Sequence, residues 1–287
     1  MPAATPPAPP QSRVVLAFDP ARDGFGFPNV FAWTPEDLTY LNRALRPLTS
    51  ALTVGLPALA GGLAGGKRGA LAGAGAGTLL AAAHLPDALV RGVARGWPSF
   101  GLCGGMALAA LERWPSRAEA PTVTLPREAL RPLLRNRQAA TLRRAGARFL
   151  RAWLAVRRLP PAERLCPPFG EALQHELDHT RALLDAGRPF ILGLVGDAPD
   201  PFAMHQVVCF GYEEEGDALR LLVYDPNAPG QTRHVRARVT PEGRCEVTTD
   251  LPTGLRGAGR FHLATRPDQL STLFVVWPSP EAGGGNG

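Results

Sequence analysis

Lysine is nearly missing from this 287-residue chain, since only Lys67 among its 31 basic residues is one. With 32 Gly and 30 Pro beside it, that bias reads as compositional drift, so arginine abundance alone is no argument for nucleic-acid binding. Aromatic residues are scarce at 7%, yet 45% hydrophobic residues are enough for a sizeable core, in one large domain with insertions or in two small ones. Cysteine is sparse and scattered. Cys103, Cys166, Cys209 and Cys245 form no CxxC pair, which disfavours structural zinc and a dense disulfide framework and makes reduced thiols the expectation. The N-terminus lacks a basic stretch followed by an apolar run, so no standard secretory signal is read there and a cytoplasmic chain is expected.

Acidic residues are nearly absent from one segment. Between Arg127 and Arg164 eleven Arg face only Glu128 and Glu163, a local net of +9 in a chain whose total is +6. Leu130, Leu133, Leu134, Leu142, Phe149, Leu150, Trp153, Leu154 and Val156 lie among these charges, which predicts one or two amphipathic helices from Arg127 to Leu159, broken around Pro132 and Gly146. An anionic surface is a conceivable partner for them. No interleaved aromatic pattern or nucleic-acid motif accompanies the arginines, so no specific nucleic acid is expected, and a solvated helical face is the plainer reading.

Charge is also lacking across residues 47–86, apart from Lys67, Arg68 and His84. The uncharged stretches 47–66 and 69–86 are each about long enough to cross a bilayer. Gly61, Gly65, Gly69, Gly73 and Gly77 repeat every fourth residue, the spacing that lets helices approach closely. Two readings stand: a membrane-inserting glycine-zipper hairpin turning at Lys67 and Arg68, or an Ala/Gly-rich insertion, because so much glycine weakens both helix and insertion. Residues 1–12 and 279–287 are low-complexity ends read as disordered tails around a domain spanning 13–278.

Elsewhere the order of elements is helices first, strands later. Val14–Phe18 reads as a strand, Phe25 to Trp33 as a short aromatic element interrupted by Pro28, and Thr34-Pro35-Glu36-Asp37 as a helix start. A helix from about Phe169 to Asp185 leads into strands at Phe190–Val195, Gln206–Tyr212, Leu219–Tyr224, His234–Val239 and Leu273–Trp277, with Glu213–Asp217 as a hairpin turn. That is an α+β chain with an antiparallel sheet in its C-terminal half.

The residues able to do chemistry fall at the ends of these elements. In Phe100-Gly101-Leu102-Cys103-Gly104-Gly105-Met106 the glycines suit a tight turn into a helix and put the Cys103 thiol at its N-terminus, where unsatisfied amides and the helix dipole stabilise a thiolate. A thiolate nucleophile needs a base, and the base needs an orienting acceptor. His205 opens the strand that hairpins into Leu219–Tyr224, and Asp225 follows that second strand, so the hairpin brings imidazole and carboxylate together.

Cys103 opening a helix, Leu183-Leu184-Asp185-Ala186-Gly187-Arg188-Pro189 ahead of a buried strand, His205 with Gly211-Tyr212, and Tyr224-Asp225-Pro226 together resemble the papain-like cysteine peptidase superfamily. Within it the pattern is most similar to the bacterial branch that includes the leader-peptide-cleaving domains of bacteriocin exporters. The resemblance covers roughly residues 97–230 and implies a helical part bearing the cysteine packed on an antiparallel sheet bearing the histidine. It implies Cys103 as nucleophile, His205 as base and Asp225 as orienting acid, with Asn227 as the alternative third member, acting on a peptide or other amide without metal or cofactor. Trp97, Phe100 and Met204 would line the cleft. The family usually carries Gln six residues before the cysteine, where Trp97 stands here, so the resemblance leaves the second oxyanion donor beside the Cys103 N–H to Asn29 or Ser99. An inactive relative working in membrane-associated interaction is the alternative.

A third reading comes from His175-Glu176-Leu177-Asp178-His179, which satisfies the HExxH zinc-protease pattern. On a helical wheel Leu173, Leu177 and Leu184 oppose His175 and His179, which predicts that the histidine pair faces solvent.

Overall fold

Apolar alternation in the C-terminal half builds a sheet, and the apolar stripes of three helices cover its two faces. The computed structural model describes residues 12–50, 92, 99–116, 124–158, 167–196, 204–241, 243, 245–251 and 270–278. Two compact units divide the chain, one of Met1–Val30 with Gly101–Gly287 and the other of Phe31–Phe100. In chain order the larger unit opens with β1 (Arg13–Val15) and α1 (Pro20–Asp23), and the smaller holds β2 (Phe31–Ala32), α2 (Pro35–Ser50) and β3 (Ser99–Phe100). The larger resumes with α3 (Cys103–Arg113), α4 (Arg127–Arg158), α5 (Pro167–Asp185), β4 (Phe190–Gly196), β5 (His205–Glu215), β6 (Ala218–Tyr224), β7 (Thr232–Val239), β8 (Cys245–Thr249) and β9 (Leu270–Pro278).

In the smaller unit the Thr34 hydroxyl accepts from the Asp37 amide at 3.2 Å while the Asp37 carboxylate accepts from the Thr34 amide at 3.2 Å. This reciprocal cap, with Pro35 in the first turn, starts α2 where the sequence predicts. β2 pairs antiparallel with β3, and Trp33 stacks on Phe100 with ring centroids 4.2 Å apart. α2 runs on through residues 47–50, the start of the expected glycine-zipper hairpin. Residues 51–91, and with them the rest of that hairpin, lie outside the described residues.

In the larger unit the strand order is β1-β5-β4-β9-β8-β7-β6, and β6 pairs again with β5. The six strands from β4 to β9 therefore close on themselves, every pairing antiparallel. Leu173, Leu177 and Leu184 of α5 join Leu192, Val207 and Val223 in one buried cluster on the inner face. On the other face Phe149 of α4 meets Phe274 edge-on, ring centroids 4.7 Å apart, and lies against Gly193. α3 packs on α4, β5 and β4, which is why Gly104 to Leu111 are buried at every position.

Several boundaries differ from the sequence expectation, each for a physical reason. α4 is one helix through Pro132 and Gly146, because Leu134, Thr141, Ala145 and Phe149 form a continuous buried stripe that outweighs one lost hydrogen bond and one glycine. Glu213–Glu215 belong to β5 rather than to the turn, since Arg13, Arg220 and Arg236 pair with them across strands, and the turn falls at Gly216, whose φ of 64° only glycine adopts freely. β8 is an additional strand. It is five residues long with Val247 as its buried anchor, too short a pattern to stand out in the sequence. Ser12, the last residue of the expected N-terminal tail, accepts from the Glu214 amide at 2.9 Å, whereas residues 1–11 and 279–287 lie outside the described residues. Among the described residues no helix is long and apolar enough to cross a membrane.

Candidate active site

Cys103 is the first residue of α3, half-buried and a free thiol. The glycines after it serve close approach rather than a turn. A Cβ on Gly105 would stand 2.1 Å from the Leu134 carbonyl oxygen of α4, and one on Gly104 would meet Thr141 at 2.5 Å and Gln206 at 2.6 Å. The Gly105 amide donates to Gln138 Oε1 at 2.9 Å, so a side chain from α4 satisfies one of the donors that a helix start leaves open.

Asn29 holds the segment that leads into Cys103. Its amide donates to the Pro226 carbonyl at 3.0 Å, and its side-chain oxygen accepts from the Leu102 amide. A Cβ on Gly101 would fall 2.7 Å from Asn29 Nδ2, so the glycine before Cys103 is required by the packing of this buried amide. Asn29 therefore joins the Asp225–Pro226 turn to the start of α3. Ser99 lies buried on β3 in the other unit, and Trp97 lies outside the described residues.

The hairpin of β5 and β6 brings the histidine and its acid together. The register ends at Val208↔Tyr224, and the chain then turns, with the Asn227 amide donating to Asp225 Oδ1 at 2.8 Å. That turn aims two side chains at one imidazole. His205 Nε2 lies 2.6 Å from Asp225 Oδ1 and 3.3 Å from Asn227 Nδ2. His205 is 4% exposed and Asp225 0%, so the pair sits in a low-dielectric setting. Beneath the turn the Tyr224 hydroxyl accepts from the Phe25 amide at 2.9 Å, which fixes the end of β6 against the loop carrying Asn29.

The Cys103 side chain lies beside the same ring, close enough to favour its charged form. With Nε2 held by Asp225, Nδ1 is the nitrogen left for the thiol. Burial pulls the imidazole down, but the charge and hydrogen bond of Asp225, helped by Cys103, outweigh it and raise His205 from 6.5 to about 10. Cys103, His205, Asp225 and Asn227 thus converge from a helix start, a strand start and a turn. The chain matches no protein-family model, no curated protein and no solved structure. The geometry alone carries the functional argument.

Sequence reasoning missed Gln206, Gln138 and Thr141, which surround the first turn of α3. The one available signal was Gln206 itself, a polar residue at the head of the apolar run Val207-Val208-Cys209-Phe210.

The HELDH segment lies on α5, and the structure separates its members. His175 and His179 face solvent, as the wheel predicts. Glu176 turns inward, accepts from the Val275 amide at 3.0 Å and pairs with the Arg148 guanidinium. Among the described residues no group of three or more His, Cys, Asp or Glu is gathered for a metal ion. Glu176→Ala is therefore expected to destabilise the fold by about 2 kcal/mol in urea unfolding, by stranding a buried amide. His175→Ala and His179→Ala should each stay within about 0.5 kcal/mol. An activity abolished by a chelator and by either histidine variant would instead mark the pair as zinc ligands.

Proposed function

We propose that this chain is a papain-like thiol hydrolase that cleaves a peptide or other amide bond. The observation that carries the reading is the juxtaposition of Cys103, at the start of α3, with the buried His205, whose Nε2 is held 2.6 Å from Asp225. A helix N-terminus and an adjacent imidazolium both stabilise a thiolate.

The Cys103 sulfur attacks the carbonyl carbon and forms a C–S bond, and the carbonyl oxygen takes the negative charge. The Cys103 N–H at the start of the helix is one donor for that oxyanion. As the C–N bond breaks, His205 gives its proton to the leaving nitrogen, producing a free amine and a thioester. Neutral His205 then takes a proton from water while the oxygen adds to the thioester carbon. The C–S bond breaks, the acid leaves, and the thiolate and imidazolium are restored. Asp225 holds the ring in position throughout and favours its charged form.

The test is the rate of iodoacetamide labelling at Cys103 from about pH 5 to 9, in the native protein and in His205→Ala, with mass spectrometry to locate the label. Cys209 interferes little, since it is buried and its thiol is pushed up to about 12. An ordinary thiol labels about tenfold more slowly with each pH unit below about 8.5, whereas Cys103 is expected to label fast already near pH 6. His205→Ala should slow labelling near pH 6 by about tenfold. An ordinary profile in the native protein, unchanged by the variant, would overturn the reading and turn attention to a non-catalytic, membrane-associated role.

A further inference from the structure

Behind the contact between Cys103 and His205 lies a second one, made by their neighbours in sequence. Gly104 follows Cys103 on α3, and Gln206 follows His205 on β5. A Cβ on Gly104 would lie 2.6 Å from Gln206 Nε2 and 2.7 Å from its Cδ, so the amide fills the space left by the missing side chain. Thr141 closes the same space from α4, with its Oγ1 2.5 Å from that Cβ position. Its hydroxyl donates to the Gln138 carbonyl at 2.9 Å, and the Gln138 side chain accepts from the Gly105 amide. The first turn of α3 is thus gripped from the sheet at Gly104 and from α4 at Gly105.

Gln206 is an expensive residue for this place. It is 3% exposed, and its Oε1 has no hydrogen-bond partner among the described residues. A buried carbonyl without a partner is destabilising, so an apolar residue would serve stability better if only filling the space mattered. What Gln206 supplies is length: an unbranched side chain reaching from the strand to the helix backbone at Gly104, where the helix has no side chain to meet it.

We infer that Gln206 is a positioning residue whose length, set against Gly104, fixes the separation of Cys103 from His205. The inference rests on the thiol-hydrolase reading above. Shortening the side chain lets the head of β5 settle toward α3 or leaves a void between them, and either change displaces the imidazole from the sulfur one residue away. Packed interiors pass such volume changes on to their neighbours.

The experiment compares Gln206→Ala with Gln206→Met, which keeps an unbranched chain of nearly the same length. The readouts are the pH profile of Cys103 labelling by iodoacetamide and the thermal midpoint. Gln206→Ala is expected to lose the fast labelling near pH 6, by about tenfold, and Gln206→Met to retain it. Should the alanine variant not fold, Gln206→Val carries the same comparison as a smaller truncation. A Gln206→Ala or Gln206→Val protein that loses thermal stability but labels like the native one would overturn the inference, because packing would then be its whole role. So would a methionine variant as slow as the alanine one. Labelling that depends on His205 but not on the size of residue 206 defeats this inference alone, and native labelling indifferent to His205 defeats the triad reading with it.

Discussion

Asp225→Ala is expected to destabilise the larger unit by about 4 kcal/mol, because it leaves an imidazole buried without the carboxylate that balances its charge. The loss should depend on pH in a defined direction. His205 is raised from 6.5 to about 10 in the folded protein, so the stability it gains from Asp225 is fully present below about pH 6.5 and is lost as the pH rises through about 10. Between those limits the unfolded chain releases the proton that the folded one keeps. Urea midpoints of native protein and variant, measured at about pH 6.5, 8 and 10, should therefore converge as the pH rises. A gap that stays constant across that window would mean that His205 is neutral in the folded protein, with Asp225 acting only as a hydrogen-bond acceptor.

Gly105→Ala should be comparably severe, for a steric reason. The added methyl would sit 2.1 Å from the Leu134 carbonyl oxygen and 3.1 Å from the Gln138 nitrogen. Both are backbone atoms of α4 and cannot swing aside as a side chain end can. The two helices would have to separate, which would also break the hydrogen bond from the Gly105 amide to Gln138. A loss of about 4 kcal/mol or more is expected in urea unfolding, together with slower labelling of Cys103. A variant of native stability would show that α3 and α4 do not meet at this glycine.

How far the fold was legible follows from how local each signal is. Thr34-Pro35-Glu36-Asp37 carries its own cap, so the start of α2 needs nothing outside four residues. The strands from Phe190, Gln206 and Leu219 were legible because both of their faces are covered, and continuous apolar runs result. The unbroken course of α4 was not legible. Pro132 and Gly146 both argue locally for a break, and only the stripe from Leu134 to Phe149 packed on α3 and the sheet overrides them. The extension of β5 through Glu213–Glu215 was hidden for a similar reason, since three consecutive acids look like a turn until their arginine partners on β1, β6 and β7 are in place.

The site divides in the same way. The sequence by itself determined the candidate groups: a thiol at a helix start, and a histidine and an aspartate at the open ends of one hairpin, whose pairing follows from strand connectivity alone. The tertiary structure decided the rest. Cys103 and His205 are about a hundred residues apart, and no local rule brings them together. Their meeting depends on how closely α3 can approach α4 and β5, which is set by the absence of two side chains, at Gly104 and Gly105, and by the presence of Gln206, Thr141 and Gln138 opposite them. Close packing between elements distant in sequence has no periodicity to read, because it depends on which atoms meet across the interface rather than on the pattern along either chain segment.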